Sequence, residues 1–183
     1  MRLAKLITIV LAIVLVLTQW NGIACAGSAA AIDADSDAAL NKLYESQPTA
    51  KILAEKAIAV LIFPNIVKGG FIVGAQYGQG ALRKKGKTVG YYNSVAGSYG
   101  LQAGAQSFAY ALFLMTDSAV KQLDQTDGWE LGVGPSIVLV DEGVAHSFTT
   151  TTAKSDVYAF IFNQQGLMAG IGLQGSKITK INK

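Results

Sequence analysis

The chain has 183 residues, of which 51% are hydrophobic and 15% charged, with only 3 Pro; this is the composition of one packed domain and not of a disordered chain. The formal net charge of +3 is too small for a polyanion binder that works through net charge, so nucleic acid is not an expected partner and any basic function must be local. One Cys and one His exclude a disulfide framework, a Cys-rich zinc module and any site that needs two imidazoles or two thiolates from one chain.

Arg2 and Lys5 precede an apolar run over residues 6–17, which gives way to small residues. That is the layout of a secretory signal peptide over residues 1–24, and the run stops at Thr18-Gln19, short of the roughly 20 apolar residues that span a bilayer. Export to the periplasm or outer membrane is expected. Cys25 follows Gly22-Ile23-Ala24, which resembles a bacterial lipobox and implies a lipid-anchored N-terminus at Cys25, although Gly22 stands where Leu is usual. Cleavage after Ala26 is the alternative, since Ala24-Cys25-Ala26 is also a small-x-small site.

Residues 25–37 continue as AGSAAAIDADSD after Cys25, small and polar with no apolar period, and are expected to form a tether to a domain over 38–183. Asp33, Asp35 and Asp37 alternate as in a calcium loop, but Ala38 and Tyr44 occupy the positions that need Gly and Glu. Capping of a helix by Ser36 or Asp37 is the expectation instead. Ala39, Leu40, Leu43 and Tyr44, then Ile52, Leu53 and Ala57 beyond Pro48, recur at helical spacing and predict two short amphipathic helices with Lys42, Lys51 and Lys56 on their solvated sides.

From residue 58 the pattern changes to strands. Residues 58–63 form a continuous apolar run, and Phe71, Val73, Ala75 and Tyr77 alternate with Ile72, Gly74, Gln76 and Gly78. Arg83-Lys84-Lys85-Gly86-Lys87 predicts a hairpin turn, with a strand returning over 88–96. A second turn is expected at Gly97-Ser98, then a strand over 99–115, a helix capped by Asp117 and closed by Gly128, and strands over 130–140, 144–151 and 157–163. A last hairpin is expected at Gln164-Gln165-Gly166, returning over 167–173. Most of the 20 Gly residues fall inside strands, where they weaken a flat sheet but permit a bent one. The fold class expected is α+β: a strongly curved Gly-rich antiparallel sheet or partial barrel, with short N-terminal helices and one inserted helix.

Catalytic and nucleotide motifs fail on context. Gly170, Gly172 and Gly175 match a dinucleotide fingerprint by letter, but too little chain follows to form the required helix. Residues 80–88, GALRKKGKT, end like a phosphate loop and then continue as strand where a helix N-terminus must receive the phosphates. His146 could pair with Asp141 or Glu142, but the neighbouring Ser147 would point to the opposite face of a strand. No catalytic residue, metal site or small-molecule cofactor is expected, and the chain is not read as an enzyme.

Arg83, Lys84, Lys85 and Lys87 place four cations in one turn flanked by Tyr77, Tyr91 and Tyr92. Such a tip suits anionic head groups, at about 1 kcal/mol per charge before salt screening; it equally suits a solvated hairpin that protects its sheet from edge pairing.

The stretch AVLIFPNIVKGGFIVGAQYGQGAL over 59–82 resembles the opening signature of the SYLF domain family. GSYGLQAGAQ over 97–106 is similar to its Gly-rich middle, SFAYALFLM over 107–115 to the strand that follows, and VYAFIFNQQGLMAGIGLQG over 157–175 to its terminal segment. The resemblance implies a non-enzymatic module for phosphoinositides, other anionic lipids or membrane surfaces, linked in yeast to actin. It also implies basic residues near an N-terminal amphipathic segment, here around Lys42, Lys51 and Lys56. With an export signal present, the expected ligand is an anionic envelope lipid or membrane surface; the alternative is a structural envelope protein packed against a protein partner.

Overall fold

Residues 27–125, 127–140, 155–166 and 175–183 are described by a computed structural model, with the backbone alone for 99–103. Helix α1 (Ala29–Ser46) begins earlier than the sequence suggests. Ser28 caps it, its hydroxyl accepting from the Ala31 N–H at 3.2 Å. Ile32, Ser36, Ala39, Leu40 and Leu43 are buried along one stripe, so the packed face already starts at Ile32. The tether expected up to residue 37 is therefore helical from Ala29, and Ser28 takes the capping role expected of Ser36 or Asp37. Helix α2 (Pro48–Lys56) opens on Pro48, where a missing N–H has no intrahelical partner to lose.

Two long strands dominate the sheet. β1 (Ala59–Lys84) and β2 (Lys87–Leu114) pair antiparallel along almost their whole length. Pro64-Asn65 does not end the first strand; it forms a bulge between Phe63 and Ile66, which bends the ribbon without breaking it. The turn expected at Gly97-Ser98 is likewise absent, since Gly97 pairs with Ala75 and Ser98 with Gly74. Glycine here marks curvature within one strand.

The ribbon reverses at residues 70–73 and folds over itself. A Cβ on Gly78 would meet the Asn65 carbonyl, and one on Gly80 the Ile62 carbonyl. Only backbone without a side chain lets the later arm of β1 cross so closely over the earlier arm. This fold-back makes the curled, half-barrel sheet of an α+β architecture, as the glycine distribution predicts.

The outer edge of β2 is shared. β6 (Lys177–Ile181) pairs with residues 91–95, and β5 (Val157–Gly166) with residues 106–114, both antiparallel. β3 (Trp129–Glu130) adds to β6, and β4 (Ile137–Leu139) adds to β5 as the parallel pair. The strand expected over 130–140 is thus two short pieces separated by a turn, and β5 extends through the hairpin turn expected at 164–166. Helix α3 (Asp117–Gln122) is the inserted helix; its cap is Thr116, not Asp117. The expectations for 144–151 and 167–173, the leader, Cys25 and His146 lie outside the described residues.

Two cores follow from this geometry. Leu61, Phe63, Ile66, Phe108, Tyr110 and Trp129 fill the inside of the fold-back. Val60, Ile62, Phe113, Phe160 and Leu43 lie on the opposite face, under α1 and α2. The sheet is therefore buried on both sides at 59–63 and 108–114, which is why those runs are continuously apolar instead of alternating.

Candidate functional site: a cationic hairpin tip beside a cleft

Lys85 and Gly86 form the two-residue connection between β1 and β2, with φ of 51° and 75°. Positive φ at both positions is what a tight turn matched to the sheet twist requires. The tip expected from Arg83 to Lys87 is present. Lys84 and Lys87 are direct cross-strand partners, and like charges placed opposite each other repel. Lys84, Lys85 and Lys87 are exposed, and none has an ion-pair partner among the described residues.

Arg83 is different. Its side chain is 13% exposed, and its guanidinium donates to the Asp37 carboxylate at 2.6 Å and to the Asp33 carbonyl at 3.0 Å. The Asp33 carboxylate also accepts from Thr88 Oγ1 at 2.7 Å and from the Tyr91 hydroxyl at 2.9 Å. Burial, and then the Asp33 carboxylate, raise the Tyr91 phenol above its ordinary pKa. One turn of α1 is thereby fastened to the hairpin, and Arg83 is a latch where Lys84, Lys85 and Lys87 form the free cationic surface. Sequence reading missed Asp33 and Asp37 as its partners, although their i, i+4 spacing would put both on one helix face.

The latch closes one side of a cleft of about 590 Å³ between α1, α2 and the tip. Leu40, Tyr44, Ala57 and Val60 supply its apolar floor, while Lys84 and Lys85 stand at one lip and Glu55 at another. Burial raises the Tyr44 phenol. A cleft with an apolar floor and an ammonium lip can take an amphiphile with its anionic end toward the lysines.

The remaining expected basic residues are dispersed. Lys42 borders a separate hollow of about 360 Å³ with Asp35, Pro64 and Phe108. Lys51 and Lys56 are exposed on α2, with Lys56 in its last turn. Of the expected basic residues, Lys84, Lys85 and Lys87 therefore form one undivided basic surface. Among the described residues no cluster of His, Cys, Asp and Glu could hold a metal ion.

No match to the chain is found among curated proteins. Residues 95–183 match the Ysc84 family, described as Las17-binding protein actin regulator, a family linked to actin and lipid binding. The matched segment contains β2 from residue 95 onward, the inserted helix and every later described strand of the curled sheet, and it includes three of the four stretches that resemble SYLF domains. Over residues 95–183 the chain matches the Ysc84, or SYLF, family, in agreement with the resemblance carried by its motifs.

Proposed function

We propose that this protein is an exported, lipid-anchored binding module that engages anionic phospholipid surfaces through the tip of the β1–β2 hairpin. The observation that carries this reading is the Lys84–Lys87 cross-strand pair with Lys85 between them. Three unneutralised ammonium groups repel one another at the mouth of an amphiphilic cleft, and an anionic surface relieves that repulsion. Arg83 is excluded from the lipid contact because Asp37 already holds it. Among the described residues no helix is long and apolar enough to cross a membrane; the lipobox-like Gly22-Ile23-Ala24-Cys25 supports attachment by acylation at Cys25, ahead of the domain. The family match supports a binding role.

Vesicle flotation tests the lipid contact. Wild-type protein should float with anionic vesicles more than with zwitterionic ones, less so as salt rises, and Lys84→Gln, Lys85→Gln and Lys87→Gln together should weaken binding by up to about 3 kcal/mol at low salt. Equal flotation of the triple variant at every salt concentration would overturn the site. Fatty-acid labelling that disappears in Cys25→Ser tests the anchor. The Las17-binding description of the family favours a second reading, a protein partner at the same cleft; capture of an envelope protein by wild type and not by the triple variant, without vesicle binding, would select it.

A further inference from the structure

Between Glu55 and Asp117 the sequence contains no acidic residue, while Lys56, Lys68, Arg83, Lys84, Lys85 and Lys87 fall within that span. The β1–β2 ribbon therefore carries no negative side chain. Its later arm exposes alternate positions: Val73, Ala75 and Tyr77 face outward while Gly74, Gln76 and Gly78 face the core. Phe71 is 74% exposed, Val73 64% and Tyr77 49%, and Val95, the cross-strand partner of Tyr77, is 44% exposed. A contiguous apolar face of this kind, rimmed by polar side chains, marks an interaction surface more than a random set of exposed residues does.

Two further observations say what covers it. The Gly27 N–H donates to the Gln79 side chain at 3.1 Å, and Gly27 shares a hollow with Val67, Tyr77 and Gln79. The preceding chain thus leaves the domain at the border of the apolar face. Cys25 lies two residues upstream, within about 7 Å of extended chain. At the other end of the face, Ile72 has a φ of 65°, a conformation that disfavours β-branched side chains, and it is 43% exposed. No burial compensates that strain, and it holds Phe71 and Val73 outward at the crest of the bend. Asp35, which lines the same hollow as Gly27 and Tyr77, limits the face on the side of α1.

We propose that the face formed by Phe71, Val73, Tyr77 and Val95 rests in the boundary between head groups and acyl chains of an anionic bilayer, with the domain oriented by the chain that exits at Gly27. The proposal rests on the membrane reading above and adds to it a second contact of different chemistry. Anchor, apolar face and cationic tip then act on one surface: the anchor supplies proximity, the face depth, and the lysines charge selectivity.

The test places single tryptophans in the full chain, reconstituted on vesicles containing anionic lipid with brominated acyl chains. Phe71→Trp and Tyr77→Trp are compared with Val133→Trp, which replaces an exposed residue in the turn between β3 and β4. Trp129, the native tryptophan that follows Cys25, is common to all and is removed by difference spectra against wild type. The added tryptophans at 71 and 77 should be blue-shifted and quenched about twofold or more beyond that at 133, because an interfacial apolar face sits roughly 5–10 Å into the boundary. Equal quenching at all three positions, with flotation intact and sensitive to Lys84→Gln, Lys85→Gln and Lys87→Gln, overturns the face and leaves the tip. Absence of flotation for every protein, wild type included, overturns both. A blue shift at 71 and 77 that grows with protein concentration in the absence of lipid assigns the face to a second copy of the chain and overturns the proposal.

Discussion

Arg83 on β1 and Asp37 on α1 meet at 2.6 Å, although 46 residues separate them in the chain, and this contact fixes where the first helix lies across the hairpin. Asp37 is 64% exposed at its side chain, so the ion pair itself contributes modestly. Arg83 is mostly covered, and it also donates to the Asp33 carbonyl. Arg83→Gln should therefore cost about 1–2 kcal/mol in denaturant unfolding, and Asp37→Asn about 0.5–1 kcal/mol. Lys84→Gln should be neutral or slightly stabilising, because it removes like-charge repulsion against Lys87. Equal losses for Arg83→Gln and Lys84→Gln would show that the latch and the lipid-facing tip are not distinct.

Gly80→Ala tests the fold-back. Its Cβ would meet the Ile62 carbonyl oxygen and the Phe63 ring, and the backbone carbonyl cannot rotate aside without breaking the β1–β2 ladder. A loss of about 3 kcal/mol or more is expected, in the upper range for overpacking. Gly97→Ala is the control, since nothing lies near its Cβ position, and it should change stability by no more than about 0.5 kcal/mol. Thermal melts of the two variants separate the roles of glycines that look alike in the sequence.

How much was legible from sequence follows from how local each cause is. The Lys85-Gly86 turn was readable because the left-handed conformations it needs are set by the residues that occupy it. The double-sided core at 59–63 and 108–114 was readable from unbroken apolar runs. The start of α1 was not: its polar residues Asp33 and Asp37 acquire partners only through Arg83, Thr88 and Tyr91, some fifty residues away. Gly97-Ser98 looked like a turn because glycine permits one, yet the close crossing at Gly78 and Gly80 requires a ribbon that bends while its ladder continues. At the site, charge clustering identified the tip, but strand alternation was needed to separate Arg83 from Lys84, whose side chains leave opposite faces.

Ile72 offers a prediction of opposite sign. A β-branched residue at φ 65° carries strain on the order of 1–2 kcal/mol, while glycine adds roughly 0.5–1 kcal/mol of unfolded-state entropy. Ile72→Gly should be neutral or stabilise by up to about 1 kcal/mol. Val73→Gly, with no positive φ to relieve, should destabilise by about 0.5–1 kcal/mol. If both variants destabilise equally in chemical unfolding, the bend is not strained at Ile72.

Asp156 predicts how the fold responds to acid. Its carboxylate accepts from the Ser136 N–H at 3.0 Å, from the Ser136 hydroxyl at 2.8 Å and from Thr116 Oγ1 at 3.1 Å. The backbone hydrogen bond from Ser136, then the hydroxyls of Ser136 and Thr116, hold its pKa below the ordinary 3.8. A carboxyl group depressed on folding stabilises the native state above its unfolded pKa, and the contribution is lost as pH falls through the folded value. The segment joined is specific: Asp156 ties the cap of α3 to the start of β4 and, through its own carbonyl, accepts from the Met115 N–H at 2.8 Å. Asp156→Asn keeps the size of the side chain but removes its charge and presents an amide NH₂ where an acceptor is needed. The variant should be less stable than wild type at neutral pH, and the gap should stay constant down to about pH 4 and close below it, where wild type itself becomes protonated. Urea unfolding across that range measures the gap directly. A gap that persists unchanged well below pH 4 would mean that the loss comes from shape alone and that the charge of Asp156 plays no part in holding β4 against β5.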